Sequence, residues 1–282
     1  MRRVKLILAY EGTAYCGWQI QPPHQGLSIQ GVLEDRLSRL TGEKIKTVAA
    51  GRTDSGVHAW RQVVHLDTRS SIPEDRWPLA LNSMLPPDIV AVSSEEVGPE
   101  FHARYSAKAK IYRYFFYASR VPNPFLRRYT YQVPTDLSVR EMDAAARLLV
   151  GTHDFRCFSA SGRPVKSYVR TVYWARVRRT GELIWFEICG SGFLYHMVRI
   201  IAGTLMEIGR GKMAPQNVNY ILKSRDREMA GPTLPPQGLF LWEVIYDGGQ
   251  LIEKGGGESL ELAFLETHGG FAPLSFLGEA KG

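Results

Sequence analysis

The segment with the clearest chemical potential is 51–59, GRTDSGVHA, in which Asp54 lies between two glycines and close to an arginine. Glycines permit a tight backbone path, and loops of this kind often carry functional side chains. A carboxylate at such a position can act as a nucleophile or a base, or it can simply cap a turn. Ser55 and His58 are residue types of a hydrolase triad, although triad members normally converge from separate segments. The residue types alone leave these alternatives open.

Positive charge is concentrated in two windows without acidic residues, although the whole chain carries a net charge of only +7. Residues 101–135 contain seven basic and ten aromatic side chains, and residues 155–181 contain seven more basic side chains. The rest of the chain therefore carries +7 minus 14, or −7. Basic surfaces bind phosphate backbones, and aromatic rings stack on unpaired bases. The two windows predict a nucleic-acid partner, with solvated strand faces as the alternative.

The sequence offers no recognisable site for a metal or an organic cofactor. The three cysteines, Cys16, Cys157 and Cys189, are far apart and form no CxxC pair. No GxGxxG or GxxxxGK[ST] pattern is present. There is also no long apolar run and no signal-peptide pattern. We expect a soluble, cytoplasmic protein that uses neither metal nor cofactor and does not bind a membrane.

Hydrophobic spacing predicts the elements that position Asp54. Residues 4–10 alternate as a strand does, and apolar residues from Ile29 to Leu40 recur at helical spacing between Ser28, a predicted N-cap, and Gly42. Residues 62–68 are rich in β-branched types and predict another strand.

The second half of the chain repeats this alternation. Residues 111–117 predict a strand, and Ser138 with Glu141 predicts a capping box for a helix that ends at Gly151. Residues 168–177 and 183–189 predict a hairpin about Thr180-Gly181, and apolar spacing over 194–208 marks a buried helix face. Such hairpins between helices favour an α+β fold with a largely antiparallel sheet.

Nine further blocks accompany the Asp54 segment in a fixed order along residues 4–246. They are YEGT with GWQ (10–19), SIQG (28–31), LN with LPPDI (81–89), FHAR (101–104), KIYRY (110–114), GTHDF (151–155), RT (170–171), FLYHMVR (193–199) and GPT with GL (231–239). Together they resemble the bacterial tRNA pseudouridine synthase A family. The chain departs from the family pattern at Ile200, Leu234 and Pro236, and these departures concern substrate contacts and not the class of enzyme.

The resemblance implies a two-lobed pseudouridine synthase fold with a central sheet flanked by helices. We expect an N-terminal lobe over 1–105 with the Asp54 loop. A C-terminal lobe over 106–247 would carry the Tyr112 strand and the Arg199 helix, followed by a peripheral glycine-rich tail over 248–282.

The resemblance also implies the roles of individual residues. Asp54 is the essential catalytic carboxylate, Arg199 is its ion-pair partner, and Tyr112 stacks on the flipped uracil. A guanidinium suits this pairing because it stays protonated and can bind a carboxylate through two hydrogen bonds. The expected RNA contacts are Arg52, Arg104, Lys110, Arg113 and Arg170.

The implied activity is isomerisation of uridine to pseudouridine at positions 38, 39 and 40 of the tRNA anticodon stem-loop, by a homodimer. A non-catalytic RNA-binding protein on the same fold is one alternative, and it would not need Asp54, Tyr112 and Arg199 together. A hydrolase that uses Asp54 and His58 is the other. Whether the carboxylate attacks C1′ or C6 stays open.

Overall fold

The protein is described by a computed structural model that covers residues 1–162 and 165–247. The predicted tail, 248–282, lies outside the described residues, as does Arg163 of the second basic window. The fold is mixed α+β with a large, mostly antiparallel sheet, as the sequence predicts. The chain divides into two compact units, which are residues 1–111 with 240–246 and residues 112–239 with Asp247.

The strands of the described residues, in chain order, are β1 (Arg2–Tyr10), β2 (Thr47–Ala49), β3 (His58–Thr68), β4 (Ile89–Val97), β5 (Ala109–Ala118), β6 (Tyr131–Val133), β7 (Gly151–Asp154), β8 (Val169–Thr180), β9 (Leu183–Gly190) and β10 (Leu239–Ile245). The α-helices are α1 (Ile29–Thr41), α2 (Trp77–Asn82), α3 (Val139–Arg147), α4 (Met197–Gly209) and α5 (Asn217–Ser224).

The first unit is built on strands in the order β4-β1-β3-β10, with β2 added on β3. β1 pairs antiparallel with both β3 and β4, whereas β10 pairs parallel with β3 and places Phe240 opposite His58. Alternate residues of β1, including Leu6 and Leu8, are fully buried, as a half-buried strand requires. The strands predicted at 4–10 and 62–68 are therefore confirmed.

Helix α1 has the predicted boundaries, and its caps explain them. The Ser28 hydroxyl accepts a hydrogen bond from the Gly31 amide at 3.1 Å, which satisfies a first-turn donor. Gly42 has φ 71, and its amide donates to the carbonyl of Ser38. Glycine adopts this left-handed conformation without the steric cost that other residues incur.

The second unit is built on strands in the order β5-β9-β8-β7, with β6 paired parallel to β5. The hairpin predicted about Thr180-Gly181 is present, because Thr180 pairs with Leu183 and Gly181 takes φ 56. The predicted strand at 111–117 lies within β5, and the predicted buried helix face lies on α4.

The helix predicted to end at Gly151 is shorter than expected. α3 ends at Arg147, and Gly151, at φ 119, instead begins β7. The capping box is also only half formed. The Ser138 hydroxyl accepts from the Glu141 amide at 3.4 Å, but the Ser138 amide donates to the carbonyl of Gly209 at 2.9 Å. In a complete capping box the Glu141 side chain would accept this Ser138 amide, and here a carbonyl of α4 accepts it instead.

Candidate active site

Asp54 lies in the loop that connects β2 to β3 in the first unit. Its side chain is half-buried, while its neighbour Thr53 is buried and Arg52 is exposed. The loop therefore alternates between residues that anchor it and residues that face outward.

The backbone before Asp54 is fixed through Thr53. The Thr53 carbonyl accepts a hydrogen bond from the Trp18 amide at 3.0 Å. Its hydroxyl lies 2.8 Å from the buried hydroxyl of Tyr10, and Gln62 donates through Nε2 to the carbonyl of Gly51 at 2.8 Å. Buried polar groups satisfied in this way hold a loop in one conformation.

The backbone after Asp54 is fixed by a turn and by a side chain. The Val57 amide donates to the Asp54 carbonyl at 3.1 Å, with Gly56 at φ 75 inside the turn. The Ser55 hydroxyl donates to the carbonyl of Tyr15 at 3.2 Å. Both sides of Asp54 are consequently tied to the structure.

Two glycines allow the segment after β1 to lie against this loop. A Cβ on Gly12 would stand 2.0 Å from the carbonyl oxygen of Val57, and a Cβ on Gly17 would stand 2.8 Å from that of Thr53. Gly17 also has φ +107, a conformation that L side chains rarely adopt. The close approach of the two backbones at Gly12 and Gly17 is a physical reason for the YEGT and GWQ blocks to occur together with the Asp54 segment.

His58 and Ser55 both support the loop backbone. The buried His58 ring accepts the Gly12 amide at Nδ1, over 3.0 Å, and stacks on Phe240 with ring centres 4.6 Å apart. Because the Ser55 hydroxyl donates to a backbone carbonyl, Ser55 and His58 do not form the nucleophile and base pair of a hydrolase.

Tyr112 lies on β5 in the second unit and is buried. The rings of Tyr112 and Phe193 pack edge to face, with a centroid distance of 4.9 Å and an interplanar angle of 76°. Tyr114, two residues further along the strand, donates from its hydroxyl to the Pro235 carbonyl at 2.8 Å, and burial raises its pKa. Tyr114 is thus a core residue.

Arg199 lies in the first turn of α4, also in the second unit, between the buried residues Val198 and Ile200. Its Nε donates to the Leu234 carbonyl at 2.6 Å, and the Leu234 amide donates to the Arg199 carbonyl at 3.3 Å. His196, the N-cap residue of α4, has φ 59, which is uncommon for a residue other than glycine. Arg199 is therefore held by its surroundings and is not a surface helix arginine.

The other expected RNA contacts differ in their surroundings. Arg52 and Arg104 are exposed, and Lys110 is half-buried. Arg170 donates to the carbonyls of Ser167 and Val169, and partial burial lowers its pKa.

Arg113 differs from the rest of that set because its guanidinium is engaged inside the second unit. Its Nε donates to Glu187 at 2.6 Å, and Arg176 donates to the other oxygen of the same carboxylate at 2.7 Å. Glu187 is 2% exposed, and both arginine side chains are mostly covered. Two of the positive charges counted in the basic windows thus pair with one buried carboxylate.

Sequence reasoning did not assign roles to Tyr10, Thr53, Gln62 or Phe193. The first three join the hydrogen-bond network around the Asp54 loop, and Phe193 packs on Tyr112. Tyr10 and Phe193 lie inside sequence blocks that resemble the family, and this was the available sequence signal for them. Gln62 lies outside these blocks and has no such signal.

Over residues 1–162 and 165–247, no group of three or more His, Cys, Asp or Glu side chains is arranged to hold a metal ion. In the same ranges, none of the helices has the length and apolar character needed to cross a membrane.

Comparison with known proteins decides the family. A family model described as tRNA pseudouridine synthase matches residues 6–106 and 145–247. The chain belongs to this family. Members of the tRNA pseudouridine synthase family are isomerases that act on uridine in tRNA, so the enzyme class predicted from the sequence is confirmed.

Curated relatives of this pseudouridine synthase match over almost their whole length. "tRNA pseudouridine synthase A" of Moorella thermoacetica is 53% identical over 86% of this chain and 99% of its own. The proteins of the same name from Acetivibrio thermocellus and Anoxybacillus flavithermus are 49% and 47% identical, over 87% and 88% of this chain and 100% of their own. Among solved structures, a chain of the "Crystal Structure of a Cbf5-Nop10-Gar1 Complex" superposes with a TM-score of 0.31 at 13% identity, covering 72% of this chain and 45% of that chain.

Proposed function

We propose that this tRNA pseudouridine synthase isomerises uridines 38, 39 and 40 of the anticodon stem-loop and that Asp54 is its nucleophile. The observation that carries the proposal is the fixed backbone on both sides of Asp54, from the Trp18 amide bond to Thr53 to the Val57 amide bond to Asp54. A nucleophile acts efficiently when its position is set before the substrate arrives, since orientation lowers the activation barrier.

The reaction needs a carboxylate but no outside reagent. The N1–C1′ bond breaks, the uracil turns, C5 bonds to C1′, and the proton on C5 is lost while N1 gains one. Asp54 supplies the electron pair that bonds to C1′ or C6 and takes it back when the intermediate collapses. No electrons are gained or lost overall, so the proposed step requires no redox partner.

Tyr112 and Arg199 are proposed to complete the site. Tyr112 stacks on the uracil after the nucleotide has been flipped out of the stem, which costs a few kcal/mol of stacking and pairing. Its contact with Phe193 supports this role, because a ring held in place loses little freedom when a base stacks on it. Arg199 is proposed as the ion-pair partner of Asp54, and its bonds to Leu234 support a fixed guanidinium.

The proposed RNA contacts are Arg52, Arg104, Lys110 and Arg170. For Arg113 we propose a structural role, since its guanidinium bonds the buried Glu187.

We further propose that the protein works in the cytoplasm as a homodimer. Sedimentation at a single mass equal to one chain, with full activity, would contradict the dimer.

The test is release of tritium from C5-labelled uridine in unmodified tRNA by the wild type and by Asp54→Asn. The variant is expected to lose release while its affinity for tRNA stays within about twofold, because phosphate contacts dominate binding. Asp75→Asn is the matched control, since Asp75 is an exposed aspartate paired only with its neighbour Arg76 in the described contacts. Substantial release by Asp54→Asn would refute the nucleophile.

The modified positions are a separate measurement. Carbodiimide adducts of pseudouridine stop reverse transcription, so primer extension on the treated product reports each modified nucleotide. Stops outside positions 38, 39 and 40 would contradict the proposed specificity and leave the role of Asp54 intact.

A further inference from the structure

The connection between β5 and β6 in the second unit, residues 119–130, presents an exposed aromatic side chain among arginines. Phe125 is 80% exposed, and Val121 in the same connection is 70% exposed. Arg120, Arg127 and Arg128 are exposed as well, and no acidic residue occurs between 101 and 135. We call residues 119–130 the Phe125 loop.

Internal hydrogen bonds hold the Phe125 loop in shape. The Asn123 side-chain oxygen accepts the Phe125 amide at 2.9 Å. The Gln132 side chain donates to the Ser119 carbonyl at 3.0 Å and closes the mouth of the loop. Leu126 is buried, and its carbonyl accepts the Thr130 hydroxyl at 3.0 Å. The burial of Leu126 anchors the segment while leaving the ring of Phe125 outside.

This arrangement lowers the cost of binding. A loop already fixed by Asn123, Leu126 and Gln132 loses little conformational freedom when a ligand binds to Phe125. An exposed aromatic ring within a basic segment is the combination with which proteins bind single-stranded nucleic acid, since the ring stacks on a base and the cations contact phosphates. The same arginines oppose contact with a second copy of the loop, because like charges would meet.

We propose that the Phe125 loop is a tRNA-binding element in which Phe125 stacks on an unpaired base and Arg120 and Arg127 bind the adjacent phosphates. The inference rests on the tRNA substrate of the family and not on the assignment of Asp54. It adds a contact in the first basic window that is separate from the catalytic residues.

The first test measures affinity of unmodified tRNA transcript for Phe125→Ala and Phe125→Trp by anisotropy at several salt concentrations. Loss of stacking on one base is expected to weaken binding by roughly 5- to 100-fold in Phe125→Ala. The salt dependence should stay unchanged, because no phosphate contact is lost. Phe125→Trp should restore the affinity, since tryptophan also stacks.

The same affinity measurement is made on two further variants, Arg127→Ala and Tyr220→Ala. Arg127→Ala should lower the slope of log affinity against log salt by about 1, as expected for one phosphate contact. Tyr220, on α5, is 66% exposed and lies outside both basic windows, so Tyr220→Ala should bind as the wild type does. The midpoint of thermal unfolding should not change in Phe125→Ala, because the ring is exposed.

Two results would overturn the inference. One is wild-type tRNA affinity in Phe125→Ala. The other is weaker binding together with a lower sedimentation mass of the free variant, which would assign the Phe125 loop to contact between copies of the chain. Neither result depends on tritium release, so the inference and the role of Asp54 fail or stand separately.

Discussion

Replacing Gly12 by alanine should displace the Asp54 loop without altering any proposed catalytic side chain. The added Cβ would stand 2.0 Å from the carbonyl oxygen and 2.7 Å from the carbonyl carbon of Val57. Both are backbone atoms, so no side-chain rotation can relieve the contact. Non-bonded carbon and oxygen atoms keep at least about 3 Å apart, and the two backbones must therefore separate by about 1 Å.

The displacement reaches Asp54 through the turn that follows it. Val57 lies three residues beyond Asp54, and its amide donates to the Asp54 carbonyl at 3.1 Å. A misplacement of about 1 Å can cost about a hundredfold in rate, since the reacting atoms must approach closely. Overpacking of this kind also destabilises a fold by about 1–3 kcal/mol.

The assay is single-turnover tritium release at saturating enzyme, with tRNA affinity and urea unfolding measured on the same preparations. We expect Gly12→Ala to lose about a hundredfold in rate with affinity within about twofold of the wild type.

Gly42→Ala is the control, because a Cβ there meets no atom within 4 Å while φ +71 makes the substitution strained. It should cost about 1–2 kcal/mol of stability, the penalty for an L residue in the left-handed conformation, and leave the rate unchanged. A wild-type rate in Gly12→Ala would refute the reasoning, and so would an equal loss of rate in Gly42→Ala.

Three further outcomes are expected. Glu187→Gln should destabilise the protein to urea by about 3 kcal/mol, because two mostly covered arginines lose their common counterion. Asp35, whose exposed carboxylate contacts Arg36 and Arg39, supplies the control: Asp35→Asn should change stability by less than about 1 kcal/mol. Equal losses of stability in Glu187→Gln and Asp35→Asn would contradict the burial argument. Burial, with a smaller effect of Arg3, lowers the pKa of His65 from 6.5 to about 4, so the native state favours the neutral ring. The contribution of the neutral His65 ring to stability is complete above pH 6.5 and is lost as the pH falls toward about 4. The free energy of unfolding should therefore decline over this pH range, and the decline should be smaller in His65→Gln. Tyr10→Phe should cost about 1–2 kcal/mol in urea unfolding and lower the rate, since the buried hydroxyl of Thr53 loses its partner; unchanged values would show that this bond does not hold the loop.

Local sequence determined several elements of this protein because short-range physics defines them. Ser28 and Gly42 bound α1, as an N-cap oxygen and a left-handed glycine do by themselves. The hairpin at Thr180-Gly181 and the alternation in β1 are likewise local patterns. The ordered sequence blocks also sufficed for the family, which the comparisons confirm.

Tertiary structure decided what depends on residues distant in the chain. No sequence rule signals that the Ser138 amide donates to the Gly209 carbonyl, or that β10 returns to pair with β3. The sequence counts Arg113 as one more charge for RNA, and only the fold places Glu187 beside it. The long-range contacts of a charged side chain are set by packing, whereas its ionic charge follows from its type alone. The sequence therefore determined the residues available for chemistry, and the fold decided which of them hold the structure.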